Sequence, residues 1–183
     1  MKDLQKDILD FWFVETKAKQ WFQVNEDFDN IIKDRYEDAY EKAASGAYDE
    51  WKNDSDGALA LILLLDQFSR NMFRGTPKAF ATDNKALIIA KYAISKGLDQ
   101  VHTPQKRRFI YLPFEHSENL NDQHRSVELY EKTKDDDPLG YDYAMRHFKI
   151  IEEFGRFPHR NKILSRDNTP EEETYLAQIG AGF

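Results

Sequence analysis

The sequence predicts an all-α chain, and three observations carry that prediction. Apolar residues recur at helical spacing along most of the 183 residues. Helix punctuation separates these stretches: Thr76-Pro77, Thr103-Pro104 and Thr169-Pro170 read as starts, and Gly46, Gly97 and Gly155 as stops. No convincing stretch alternates with period two, as a half-buried strand would.

Element by element, Leu4, Ile8, Leu9, Phe11 and Trp12 mark a first amphipathic helix. Trp21, Phe22, Phe28, Ile31, Ile32, Tyr36 and Tyr40 mark a second, with Asn25 as N-cap, Glu26 and Asp27 in its first turn and Gly46 at its end. The third, Ser55 to Phe73, contains the run 58–65, which is apolar on every side and so belongs at the centre of a core. Thr76 and Pro77 open a helix whose pattern continues from Ala86 to Ile94 and closes at Gly97. Thr103 and Pro104 open the next, and Pro113 is expected to break it. Glu118 to about Lys134 and Leu139 to about Phe154 come next, the latter closed by Gly155. Thr169-Pro170-Glu171-Glu172 has the spacing of a capping box. Eight or so helices with short connections should pack as antiparallel hairpins in a single all-α domain, 1–183. No repeat near 34 residues is present, so spacing alone gives no solenoid.

Composition narrows the function. With 26 Lys and Arg against 33 Asp and Glu, the net charge of −7 opposes non-specific binding to nucleic acid or an anionic membrane. There is no Cys, which removes disulfides, thiolate nucleophiles and thiolate metal sites. The opening residues carry both signs of charge and do not resemble a secretory leader, so a cytoplasmic location is expected. Gly-rich phosphate loops, nucleophile elbows and His-Glu-x-x-His are missing.

Three polar stretches interrupt the apolar framework. In Leu65 to Gly75, Asp66, Arg70 and Arg74 share one helix face, and the repulsion between the two arginines asks for an acidic partner or a bound anion. In Tyr111 to Glu118, the carboxylates of Glu115 and Glu118 flank His116, a set able to orient and tune an imidazole for acid–base work. Capping offers an ordinary account of it, with Ser117 as N-cap and Glu118 in the first turn of the next helix. From Phe154 to Arg166, Arg156, His159, Arg160 and Asn161 form a basic loop that suits a phosphate, a carboxylate or the glutamates of the second stretch. A fourth, weaker signal is Lys106-Arg107-Arg108 in a first helical turn, where Arg107 or Arg108 can reach outward to an anion.

The long stretches 65–83, 112–118 and 154–161, with Gln123 and Arg125-Ser126-Val127, resemble the bacterial family known as domain of unknown function 924. The opening Ile8 to Phe13 and the closing Thr169 to Glu172 fit as well. The resemblance implies a tetratricopeptide-like right-handed superhelix and no established activity. At Ser69 the family pattern has Pro, so a less kinked helix is expected here; at Ser165 it has Gly.

These residues support two functional readings. In the first, the polar stretches meet in a pocket for a small anionic molecule: His116, Glu115 and His159 are the acid–base groups, and Asp66, Arg70, Arg74, Glu118, Arg156, Arg160 and Asn161 bind the ligand. In the second, the chain is a non-enzymatic scaffold for a peptide or protein partner. The sequence indicates no cofactor, no metal, no nucleic acid and no membrane, and it leaves the oligomeric state unspecified.

Overall fold

The computed structural model describes residues 2–178, and among them all regular structure is helical. None of these helices is long and apolar enough to cross a membrane. The chain divides into two compact units, Met1–Arg74 with Lys78–Pro113, and Gly75–Pro77 with Phe114–Phe183.

The first unit holds α1 (Lys2–Asp10), α2 (Glu26–Ala44), α3 (Ser55–Ile62), α4 (Ser69–Met72), α5 (Asp83–Ser95) and most of α6 (Pro104–Glu115). Asn25 caps α2 as its sequence position implies, accepting from the Phe28 N–H at 3.0 Å. Trp21 and Phe22 precede α2 instead of lying on it, next to a 3₁₀ turn, Ala18–Gln20. The Trp21 indole N–H donates to the Trp12 carbonyl at 2.9 Å, and this buried bond fixes Trp21 against the end of α1. Around Trp12 an aromatic core closes: Phe68 at 5.2 Å, Phe109 at 5.7 Å and Trp21 at 6.0 Å between ring centroids.

The central apolar helix is present and buried throughout 57–69, but it is not a uniform α-helix. A π segment, Leu63–Phe68, separates α3 from α4. The Leu65 carbonyl accepts from the Ser69 hydroxyl at 3.0 Å and from the Thr82 hydroxyl at 2.5 Å, and side chains that take a carbonyl in this way compete with the helical ladder. Gly57 sits where a Cβ would lie 2.3 Å from the Trp51 carbonyl oxygen, so only glycine lets α3 start this close to the preceding turn.

Pro113 does not break α6, which runs two residues further, to Glu115. In the last turn a proline forfeits one ladder bond only, and the carbonyls beyond it receive side-chain donors instead.

The second unit holds α7 (Leu120–Glu131), α8 (Pro138–Phe154) and α9 (Pro170–Leu176). The start of α7 is corrected: Asn119, not Ser117, is its N-cap, accepting from the Asn121 and Asp122 N–H groups. Ser117 instead accepts from the Asn119 N–H and donates to Asp122. α7 and α8 pack together across the connection 132–137. Gly155 closes α8 at φ 69°, and the capping box at Thr169 and Glu172 forms with both reciprocal bonds.

Ser165 is the one described non-glycine residue with positive φ, at 54°. A Cβ in this region costs roughly 1–2 kcal/mol, which gives a physical reason for glycine at this place. We expect Ser165→Gly to raise stability by about 1 kcal/mol, a melting shift of roughly 2–4 °C at this size, by calorimetry. A lowered melting temperature would contradict the strain.

Candidate functional site

The site of the second unit is built on the C-terminal end of α6, where helix carbonyls run out of backbone donors. Two buried side chains supply them. The Gln123 amide nitrogen donates toward the carbonyls of Phe114 (3.3 Å), Glu115 (2.6 Å) and Ser117 (2.7 Å). The Arg160 guanidinium donates to the carbonyl between them, that of His116, at 3.0 Å. Backbone 114–117 is thereby fixed, and with it the points from which Glu115 and His116 project.

The buried Glu115 carboxylate lies 3.1 Å from Nδ1 of His147 on α8. That nitrogen is also 2.8 Å from the Tyr143 carbonyl oxygen. Burial, reinforced by the nearness of His116, holds the His147 imidazole well below its ordinary pKa. A neutral ring facing two acceptors through Nδ1 carries its proton there.

Phe157, fully buried, is the hub. His147 meets its ring edge-on at 5.5 Å, His159 lies 5.5 Å away, and the Arg160 guanidinium sits 4.4 Å over its face. The His116 ring is 6.1 Å from that of His147. Burial first, and then the Arg160 charge, push the His159 imidazole down to about 4. The loop thus gathers a buried guanidinium and three imidazoles, two of them held uncharged.

The acids near this loop have assigned partners. Glu118 accepts from the Phe157 N–H at 2.8 Å and from both terminal nitrogens of Arg166. Burial works to raise its carboxyl, but these bonds outweigh it and keep the group below the usual carboxylate range. Glu172 is held at about 2 by the paired bonds from Arg156, against its burial, with the Thr169 N–H and Asn161 amide assisting. Arg156 and Asn161 therefore brace the loop onto α9. The Asn161 amide oxygen is buried and has no hydrogen-bond partner among the described residues.

The first polar stretch lies in the other unit and makes internal pairs. Arg70 forms a two-pronged bridge to Asp83, both bonds 2.9 Å, and its Nη1 is 3.5 Å from the Asp66 carboxylate. Arg74 grips Asp29 at 2.7 and 3.0 Å. The acidic partners that the two arginines called for are thus Asp83 and Asp29. Arg107 does not reach outward: it turns onto the carbonyls of Asp99, Gln100 and His102. Among the described residues no three His, Asp or Glu side chains are grouped to hold a metal ion.

Sequence reasoning missed His147, and it placed Arg166 in the basic stretch without its partner Glu118. His147 had a usable signal, since it falls on the buried stripe of α8 with Gly140, Ala144, Ile150 and Ile151. A polar residue on an apolar stripe needs a partner, and Glu115 lies beside it.

A family model described as "Bacterial protein of unknown function (DUF924)" matches residues 8–180. The chain belongs to this family. Its structure is similar to the solved structure of the protein of unknown function ATU0120 from Agrobacterium tumefaciens, to which it is 44% identical. The match covers 96% of this chain and 98% of that one, with a TM-score of 0.91. No curated protein matches the chain.

Two outcomes are expected of the DUF924 site. Because the His147 and His159 imidazoles are depressed in the folded state, the unfolded chain binds more protons than the native one below the unfolded pKa of about 6.5. Stability is fully present above that pH and falls as pH drops toward 4, with the loss of Glu172's contribution joining below about 4.5. Urea unfolding between pH 7.5 and 4.5 reads this; a flat profile above pH 5 would contradict the neutral imidazoles. Separately, Gln123→Leu keeps the volume but strips the donor from three carbonyls, and a loss of about 2–3 kcal/mol is expected. A loss below about 0.5 kcal/mol would show that the cap is dispensable.

Proposed function

We propose that the second unit binds a small anion, a phosphate or a carboxylate, between the Arg160 guanidinium and the imidazoles of His116 and His159. The observation that carries this reading is a buried guanidinium over Phe157 with the His147 and His159 imidazoles, both kept neutral, against the same ring and His116 beside His147. A site biased positive in a chain of net charge −7 favours an anion and disfavours a second cation. Glu115 orients His147, while Arg156, Glu118 and Asn161 hold the loop and Asp66, Arg70 and Arg74 brace the first unit. If chemistry accompanies binding, His116 and His159 are its acid–base groups. A tetratricopeptide-like superhelix of antiparallel hairpins in the cytoplasm is the setting the family resemblance supports.

A non-enzymatic scaffold for a peptide or protein is the second reading, favoured by the exposed Phe22 of the first unit.

Inorganic sulfate is a clean probe, since its charge is constant across the range in which imidazoles titrate. At 100 times its dissociation constant an anion adds about 2.7 kcal/mol, several degrees of melting temperature here. We expect sulfate and phosphate to raise the melting temperature, sulfate more strongly at pH 5.5 than at 7.5, with Arg160→Gln losing the effect and Arg160→Lys retaining part of it. No shift from either anion at either pH would overturn the proposal.

A further inference from the structure

The end of α8 is an unusual place for carboxylates. Glu152 and Glu153 stand exposed in its last turn, which has no basic residue, although the negative end of a helix dipole disfavours acids. Neither is in an ion pair among the described residues, and Lys149, one turn before Glu153, makes none with it. The carbonyls of Glu152, Glu153 and Phe154 receive no described donor, since Gly155 ends the ladder with its bond to Ile151. This helix end is therefore negative twice over, in its backbone and in its side chains.

A groove of about 600 Å³ opens at the same place, within the second unit. Glu153, Phe154 and Arg156 line it from α8 and the loop beyond, and Thr169, Glu171 and Glu172 line it from the start of α9. Its size falls in the range of small-molecule sites. Arg156 is not open to a ligand: it makes two bonds to Glu172 and a third to the Asp167 carbonyl. Glu172 is spent on that pair, which leaves Glu153 and Glu171 as the uncompensated charges of the lining. The half-buried Phe154, packed on Tyr175 at 5.1 Å, supplies an apolar wall. Independently of the carboxylates, the Asn161 amide bonds Glu172 through Nδ2 at 3.1 Å, while its fully buried Oδ1 has no hydrogen-bond partner among the described residues. Carboxylates and helix-end carbonyls at this groove, and an amide oxygen against its wall, are all acceptors that lack a donor.

We propose that this groove binds an aliphatic diamine or polyamine. One ammonium group meets Glu153 at the end of α8, a second meets Glu171, and the methylene chain lies along Phe154. Two uncompensated carboxylates and an apolar wall in one groove suit a ligand that is cationic at both ends and apolar along its middle. A metal ion fits less well: no three described His, Asp or Glu side chains are grouped to hold one, and a hard divalent cation needs several oxygen ligands at short range. Arg160, the cation of the anion site proposed above, does not line this groove, so the two readings stand or fall separately.

The test is isothermal titration calorimetry of the full chain with 1,4-diaminobutane and spermidine, against butylamine, magnesium and calcium at matched ionic strength. Both polyamines are expected to bind more tightly than butylamine and to weaken severalfold between 50 and 300 mM salt. Glu153→Gln and Glu171→Gln should each weaken binding about threefold to fivefold, the scale of a partly exposed charge pair, and the double variant roughly tenfold or more. Neither glutamate has a partner among the described residues, so the variants keep the parent fold by circular dichroism. Arg160→Gln should leave polyamine binding intact. No binding of either polyamine overturns the proposal. So does binding that survives the double variant, which would be the diffuse attraction of a chain of net charge −7. Butylamine binding as tightly as 1,4-diaminobutane overturns the two-point hold, and magnesium or calcium that displaces the amines at lower concentration assigns the groove to a metal ion instead.

Discussion

The second unit depends on how the end of α6 is finished. Four successive carbonyls, 114–117, come at the helix end in buried to half-buried surroundings, and leaving a buried carbonyl unmet costs about 1–3 kcal/mol. One amide and one guanidinium reach all four, and the Phe114 carbonyl also accepts from the Ser117 N–H. Because Gln123 comes from α7 and Arg160 from the loop after α8, the same bonds tie both elements to the end of α6. The placement of Glu115 and His116 is a by-product of that tie: side chains on a backbone held from two directions have few ways to move. Pro113 is compatible with it, since the backbone beyond the proline is held mainly by side chains, with one backbone bond from the Ser117 N–H to the Phe114 carbonyl.

Charge pairs do the bracing elsewhere, in a common form. Arg70 with Asp83, Arg74 with Asp29, Arg156 with Glu172 and Arg166 with Glu118 are all two-pronged, which gives direction as well as attraction. Buried or half-buried pairs add little net stability, because desolvation offsets much of the Coulomb gain. Their contribution is geometry: each joins residues distant in sequence and excludes registers that would strand a charge. Arg160 is different. It spends a donor on a backbone carbonyl, and its charge is felt by His147 and His159.

Much of this architecture is legible in the sequence wherever the cause is local. Asn25, Gly155 and the Thr169–Glu172 box act through neighbours three or four residues away, so spacing alone locates them. Pro113 departs from the rule for an interior proline because that rule assumes a helix held by its own ladder. The π segment at Leu63–Phe68 leaves no mark in the sequence, because one of the hydroxyls that take the Leu65 carbonyl comes from Thr82, outside that helix. At the site, residue types and stretches are readable, as with Glu115, His116 and Arg160, but partners are not. Glu115 faces His147 and Glu118 faces Arg166, pairings set by folding and unmarked by any motif.

Magnitudes indicate how the proposed anion and the imidazoles act together. With its pKa near 4, His159 resists protonation at pH 7 by three units, or about 4 kcal/mol. A negative charge 4 Å away at an effective dielectric constant of 20 returns about 4 kcal/mol. The two nearly cancel, so an anion in this site sits at the edge of drawing a proton onto the ring at neutral pH, and below about pH 6 the balance favours uptake. Arg160 cannot take this role, because a guanidinium is charged throughout. On the proposed reading, a fixed cation beside titratable rings would give a site whose attraction for anions rises on acidification, while burial of the same rings lowers the stability of the empty fold over the same range.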